Sequence, residues 1–391
     1  MSRFLYVASF AVPALLAFYG MHRYAWARLV RDPGLPRPLR RTLTWGVIFL
    51  GIFLLAVFFF ARRVPSGWSR SSVILGFTWL GLLYYLTFLL VILDVARFAW
   101  LRARKQHERI DEGRRRFLAR AVSSAAVVGT GAVAIGGRRA ALEITKPEIA
   151  VRLPRLPPEL SGFKIAHLSD VHLGPILREG FLETVVEETI ALRPDLVVIT
   201  GDLVDGTVER LGRDLAPLAR LKPRCGVAFV TGNHEYYAGV EEWIAFLRKG
   251  GMRVLLNERI AVGDEAPGGA TFDLAGLPDH HGGRFLAGHA PDLDRALAGR
   301  DEERELVLLA HQPRQFALAR GRGVGLQLSG HTHGGQLWPF GALVALYQPW
   351  VAGYHRAEDG TQVYVSRGTG FWGPPMRVCA PAEIASIVLT S

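Results

Sequence analysis

Hydrophobic positions follow two different rhythms along this chain. Up to about residue 140 they form long runs; beyond it, short runs of four to seven alternate with mixed segments. Three runs, 4–21, 42–61 and 71–93, contain no Asp, Glu, Lys or Arg. A membrane-crossing helix needs about 17–25 predominantly apolar residues, so each is predicted to span. Pro13 lies within the first, where a membrane helix tolerates it. A fourth run, 121–137, is shorter and rich in Gly, Ala and Ser, which makes it a weaker span. After Pro154, Pro157 and Pro158 the texture changes. Strands are predicted at 163–169, 196–200, 227–231, 306–310, 326–329, 362–366 and 384–389, and amphipathic helices at 179–192, 208–221 and 240–249. Strands interleaved with helices define an α/β domain. The expected organisation is a transmembrane region over 1–140, a linker over 141–160 and a catalytic-sized domain over 161–391.

Charge sharpens this division. Residues 1–139 carry 21 Lys and Arg against 5 Asp and Glu, whereas residues 140–391 carry 25 against 30. The surplus of the whole chain therefore belongs to the loops between apolar runs. A nucleic-acid binder would carry its basic stripe on the folded domain, so nucleic acid is excluded as a partner. The loops 22–41 and 94–120 hold six and nine basic residues, against three between the second and third runs and one, Arg3, before the first. By the positive-inside rule the two rich loops face the cytoplasm. The domain is then extracytoplasmic if 121–137 inserts, and cytoplasmic if it does not. Arg114-Arg115-Arg116-Phe117-Leu118 precedes that run. It resembles a twin-arginine export signal, an address read by a receptor, and reads equally as a basic stop-transfer flank. Asp94 stands at a span edge, with no functional role expected. Two cysteines, Cys225 and Cys379, make no disulfide framework and are read as separate thiols.

Candidate chemistry sits just past predicted strands, where α/β sheets build their sites. The segments are Ser169-Asp170-Val171-His172, Gly201-Asp202-Leu203-Val204-Asp205, Gly232-Asn233-His234-Glu235, His311, and Gly330-His331-Thr332-His333-Gly334-Gly335-Gln336. Asp170 and His172, two apart on a strand-like segment, are expected to point the same way. Singly each segment is commonplace. Together they supply carboxylate, amide and imidazole donors suited to divalent Mn, Fe or Zn, and no thiolate of a structural zinc site.

In this order the segments resemble the calcineurin-like metallophosphoesterase superfamily. The extended forms LSDVHLG, DLVVITGDLVDG, VTGNHEYY and SGHTHGGQLWPF are similar to the YkuE-type bacterial phosphoesterases and their membrane-anchored relatives. The resemblance covers about 160–391 and implies a metallophosphoesterase β-sandwich flanked by helices, preceded here by three or four transmembrane helices. It implies two divalent ions, one held by Asp170, His172 and His333 and the other by Asn233, His311 and His331, with Asp202 bridging. His234 is left as the catalytic acid or leaving-group stabiliser. Glu235 stands where Asp often follows that histidine, and is expected to orient it. Two ions roughly 3.5–4 Å apart would lower the pKa of a shared water and offset phosphoryl charge, and the resemblance leans toward phosphodiester or pyrophosphate hydrolysis.

Other residues are less determined. His167 falls inside a strand pattern and reads as core. His280 and His281 read as an exposed loop or as part of the substrate entrance, and Arg367 as a phosphate contact or an ion pair. Trp338, Phe340, Tyr347, Trp350, Phe371 and Trp372 cluster after the ligand segments. A domain tethered to a bilayer and rich in interfacial aromatics suits membrane lipids as partners and a lipid-linked phosphate as substrate. The same residues would serve equally as packing. Nothing in the sequence points to a protein partner. The competing readings are a nucleotide phosphoesterase and a signalling scaffold with a vestigial site.

Overall fold

The computed structural model describes residues 3–60, 67–103, 111–264, 266 and 268–391, without the side chains of residues 3–11, 59, 60, 67–69 and 101. Internal packing divides the chain into Met1–Arg138 with Gly373–Met376, and Arg139–Trp372 with Arg377–Ser391.

In the first unit, four long helices follow the four apolar runs: α1 (Arg3–Trp26), α2 (Arg37–Phe60), α3 (Gly67–Ala103) and α4 (Glu112–Leu142). Among the described residues, Arg37–Phe58, Arg70–Trp100 and Glu112–Leu142 are long and apolar enough to cross a membrane. The fourth run is thus a stronger candidate than hydropathy suggested, because it continues as helix on both sides. The bundle packs Ala25, Leu83, Leu86, Leu90 and Ala126 inside, while Trp45, Phe49, Ile52, Val128 and Ile135 point outward. This inversion of a soluble protein's surface is what a lipid solvent requires. His22 is buried between α1 and α3. The Trp79 indole can only donate, and it meets His22 Nε2 at 3.1 Å. The ring proton therefore sits on Nδ1, which donates to the Phe18 carbonyl. Of the basic loop residues, Arg62, Arg63, Arg104, Lys105 and Arg109 lie outside the described residues.

The second unit is built on two six-stranded sheets. One runs β1 (Glu148–Arg152), β12 (Ala385–Thr390), β2 (Lys164–Leu168), β3 (Leu196–Ile199), β4 (Val227–Phe229), β5 (Arg253–Val254). The other runs β10 (Gly353–Arg356), β11 (Gln362–Val365), β9 (Leu326–Ser329), β8 (Leu306–Leu309), β7 (Thr271–Gly276), β6 (Glu258–Gly263). Neighbours from β2 to β5 and from β11 to β7 are parallel, and β12 runs antiparallel to β2.

Strand alternation builds three apolar layers. Ile165, Leu196, Val198, Val307, Leu309, Leu326 and Leu328 face inward between the sheets. Val197, Ile199 and Leu168 face the opposite way, onto α5 (Glu179–Ala191) and α8 (Val240–Lys249) through Leu182, Val186, Trp243 and Leu247. Leu306, Leu308, Val363 and Val365 meet Leu293, Ala296 and Phe316 on the outer side of the second sheet. Central strands are buried on both faces, hence their unbroken apolar runs.

Two expectations change here. The segment 141–160 is not a free linker: β1 pairs in parallel with β12 from Glu148 to Arg152. The predicted helix at 208–221 is a single turn, α6 (Val208–Leu211), followed by a 3-10 stretch, Gly212–Arg220. Pro217 within that stretch lacks the N–H an α-helix would need. Cys225 and Cys379 are both free.

Candidate metal centre

The parallel strands of both sheets end at one place. Asp170 and His172 follow β2, Asp202 and Asp205 follow β3, and Asn233 and His234 open α7 (Asn233–Ala238) after β4. His311 follows β8, and His331 and His333 follow β9. The pairing brings β2, β3 and β4 side by side in one sheet and β8 and β9 side by side in the other.

Five of these residues leave their strands in left-handed backbone: Asp170, His172, Asp202, His331 and His333 have φ between 51° and 70°. Asp170 and His172 therefore do not alternate along an extended strand as expected. Each such residue costs on the order of 1–3 kcal/mol, and such strain gathers at functional sites. Two glycines make room for the carboxylates. A Cβ on Gly232 would lie 2.2 Å from Asp202 Oδ1, and one on Gly330 would lie 2.2 Å from Asp170 Oδ2.

Donor atoms of Asp170, His172 and His333 all lie within 4.8 Å of one another, as do those of Asp202, His311 and His331. His311 Nδ1 lies 2.6 Å from the Thr200 carbonyl, an acceptor only, so Nδ1 carries the proton. In the neutral ring, Nε2 then presents a lone pair. It faces Asp202 Oδ2 at 3.1 Å and His331 Nδ1 at 3.2 Å. Likewise His172 Nδ1 donates to Asp205 Oδ1 at 3.0 Å, and its Nε2 faces His333 Nε2 at 3.0 Å and Asp202 Oδ2 at 3.9 Å. Anchoring one ring nitrogen to a carboxylate or carbonyl and aiming the other at a common point is how metal-binding histidines are oriented. Asn233 Oδ1 is buried with no hydrogen-bond partner.

The field of the cluster favours positive charge at its centre. Burial alone would lower the His311 pKa, yet the Asp202 carboxylate raises it well above the ordinary value. Burial would raise Asp202, yet His311 and His234 hold it well below the carboxylate range. His331 and His333 are pushed down by burial, His331 to about 3, which leaves them as neutral imidazoles able to donate a lone pair. Converging lone pairs, buried carboxylates and an unpartnered amide oxygen fit divalent cations.

His234 and Glu235 divide their roles differently from expectation. His234 Nδ1 donates to Asp205 Oδ1, so Asp205 joins the rings of His172 and His234. Sequence reasoning placed Asp205 in the second segment but gave it no role; the signal was a second acid three residues after Asp202 in GDLVD. Glu235 does not orient His234. Its buried carboxylate accepts the backbone N–H groups of Asp202 (3.0 Å), Leu203 (2.8 Å) and Gly232 (2.7 Å). It thereby fixes the turn that carries Asp202. His234 N donates to Asp202 Oδ1 at 2.8 Å, tying the two turns together. The His234 ring lies beside the exposed Tyr237 and Trp372, with ring centroids 5.4 and 5.9 Å away.

The remaining candidates are placed as follows. His167 is fully buried, with Nε2 2.8 Å from Thr200 Oγ1. His280 is exposed and His281 half-buried in the loop after β7, where Asp279 accepts from His281 N and Gln312 Nε2. Arg367 Nη1 donates to the buried Glu383 at 2.7 Å. Fully buried Arg377 donates to the carbonyls of Gly370, Arg367 and Ala380, beneath the turn that carries His333. Trp338, Phe340 and Tyr347 are exposed, Trp350 is half-buried and Phe371 is buried.

Residues 163–335 match the calcineurin-like phosphoesterase family. Over 385 residues the chain is 35% identical to a transmembrane protein with metallophosphoesterase domain from Danio rerio, covering 94% of this chain and 85% of that protein. That similarity runs through the N-terminal helices as well as the sandwich. The chain is 41% identical over 243 residues to an uncharacterized metallophosphoesterase of Helicobacter pylori, covering 62% of this chain and 63% of the other. It is 30% identical over 257 residues to the uncharacterized metallophosphoesterase YkuE of Bacillus subtilis, covering 63% and 86%. The chain belongs to the calcineurin-like phosphoesterase family. It is a membrane protein and a metal-dependent phosphoesterase.

Glu235 gives a direct test of how the turns are held. A glutamine there keeps one acceptor oxygen and turns an amide donor toward backbone donors. Glu235→Gln is expected to cost about 1–3 kcal/mol, read as a lowered midpoint in thermal unfolding of the full chain. An unchanged midpoint would remove Glu235 from this role.

Proposed function

We propose that this chain is a membrane-anchored phosphohydrolase with a dinuclear metal centre, cleaving phosphodiester or pyrophosphate bonds of a lipid-linked substrate. One observation carries the metal reading: Asp170, His172 and His333 form one group of convergent donors and Asp202, His311 and His331 another, and Asp202 Oδ2 faces both His172 and His311. Asp170, His172 and His333 would hold one ion, Asn233, His311 and His331 the other, with Asp202 shared between them. The donor set suits Mn, Fe or Zn. When bound, such a pair supplies a water nucleophilic at neutral pH and neutralises charge on the phosphoryl oxygens.

The chain's own residues do the rest. Asp205 holds the His172 and His234 rings by their Nδ1 atoms. With Nδ1 so engaged, His234 directs Nε2 toward Asp202 Oδ2, 4.0 Å away. His234 then stands beside the centre without being needed as a ligand, and acts as the proton donor to the leaving oxygen. Arg367, a side chain 36% exposed and held from one side by Glu383, is the candidate contact for a substrate phosphate oxygen.

The lipid-linked reading rests on the rim. Tyr237, Phe285 and Trp372 are all exposed, Tyr237 stacks edge-on with Phe285, and His234 lies against Tyr237 and Trp372. Such aromatics suit an acyl or prenyl chain entering beside the leaving-group acid. With the arginine-rich loops in the cytoplasm and α4 crossing as the fourth helix, the domain lies outside the cytoplasm, in the manner of a bacterial inner-membrane protein. In this reading Arg114–Leu118 acts as an export signal for that last crossing.

Four measurements bear on this. The purified chain is expected to hold about two divalent ions and to hydrolyse bis-p-nitrophenyl phosphate only when they are present. His234→Ala should lower turnover by about 10²–10⁴ while leaving metal content unchanged; loss of both metals with it would overturn the role given to His234. Activity on a detergent-dispersed lipid pyrophosphate is expected to exceed that on the soluble diester. If it never does, the lipid reading is lost and the hydrolase stands. Alkaline phosphatase fused after Ser391 should be active in cells; an inactive, stably expressed fusion would put the domain in the cytoplasm.

A further inference from the structure

The arginine run that resembles an export signal has another occupation in the fold. At the end of the bundle where the segment after α1 meets α3 and α4 lies a cavity of about 500 Å³. That is within the range of small-molecule sites. Three acids on its wall are already engaged. Asp94 accepts the Tyr24 hydroxyl and pairs with Arg28 Nε at 2.8 Å. Asp32 pairs with Arg28 and Arg31, both at 2.8 Å, and Glu112 pairs with Arg116 at 2.5 Å. Asp94, which the sequence left without a role, is thus the half-buried hub of this network.

The balance is positive. Among the described residues, five arginines and three acids line the cavity. Among the described residues Arg97 and Arg115 have neither an ion pair nor a hydrogen bond. Arg28 Nε is buried and, though close to Asp94, makes no hydrogen bond. The wall is built: Arg120 Nε donates to the Pro33 carbonyl and Ser123 Oγ to the Arg28 carbonyl, which fastens α4 to the turn after α1. Gly34, at φ +65°, lets the Arg116 side chain lie against that turn. Ala119 and Val122 complete one side with apolar surface.

We infer that this cavity binds a phosphate group through the free guanidinium groups of Arg97 and Arg115, within the membrane unit and with no residue of the metal centre. Guanidinium forks match phosphate oxygens two at a time. A basic cavity between membrane helices, at their arginine-rich ends, is placed to take an anionic lipid headgroup. Free phosphate shares the chemistry, so the test separates the two.

The full chain in detergent is titrated with short-chain phosphatidic acid, short-chain phosphatidylcholine and inorganic phosphate, and its melting temperature is followed. Phosphatidic acid is expected to raise the midpoint saturably and phosphatidylcholine to leave it unchanged. The double variant Arg97→Gln/Arg115→Gln should need roughly tenfold or more phosphatidic acid for the same shift. Arg102→Gln, outside the cavity, should behave as wild type. A saturable shift with inorganic phosphate, lost in the double variant, would support the site and identify free phosphate as a ligand. Should the double variant not fold, Arg97→Lys/Arg115→Lys keeps the charge but loses the forks, and weaker binding is again expected. The inference fails if no phosphate compound shifts the midpoint, or if wild type and the folded variant respond alike. Neither outcome depends on metal content or turnover.

Discussion

A buried carboxylate surrounded by imidazoles is the constraint on which the catalytic unit depends. Asp202 is almost wholly removed from water and meets His311, His172 and His234. An isolated charge in that position would cost far more than the stability of a domain, so everything around it must offset the burial. Glu235 fixes the backbone of its turn, Gly232 clears space for its oxygen, and His234 N donates to it. The same requirement for positive charge that makes the cluster costly without a partner makes it a candidate site for cations.

The two sheets follow from this demand for convergence. A parallel sheet places every strand's carboxyl end on one edge, where loops can gather ligands. One sheet contributes three neighbouring ends and the other two, so donors approach from both sides of the sandwich. The left-handed backbone at five of these residues is the strain this arrangement imposes. It is held in place by the layers beneath, where apolar side chains from both sheets interdigitate.

Electrostatics organises the membrane unit in a different way. Its helices expose apolar side chains along their lengths and concentrate arginines at one end. Arg28 pairs with Asp94 and Asp32, two acids of the basic loops, where the pairs are half-buried and screened less than on an open surface. Among the described residues, the guanidinium groups of Arg97 and Arg115 meet no acid. Unequal numbers of charges in a shared cavity create a preference for an anion that neither helix would have alone.

The sequence by itself determined the class of the protein, the four helical runs and the candidate donor set. Apolar runs with no charge can only be buried or membrane-embedded, and strands buried on both faces leave unbroken signatures such as LVVIT. The strands it did not reveal are β1, β5, β6, β7 and β10. Four of them are sheet edges, half-exposed and therefore mixed in pattern. The fifth, β7, carries the buried Asp273, whose charge is met by Arg259 and Arg304 from other segments. Only the tertiary structure decided which histidine nitrogen faces which donor, because tautomers are set by partners distant in sequence, such as Thr200 for His311. It also transferred the orientation of His234 from its neighbour Glu235 to Asp205, since a helix turn directs adjacent side chains apart. And it gathered Arg115, Arg97 and Arg28 from three helices into one cavity, a proximity that no spacing along the chain encodes.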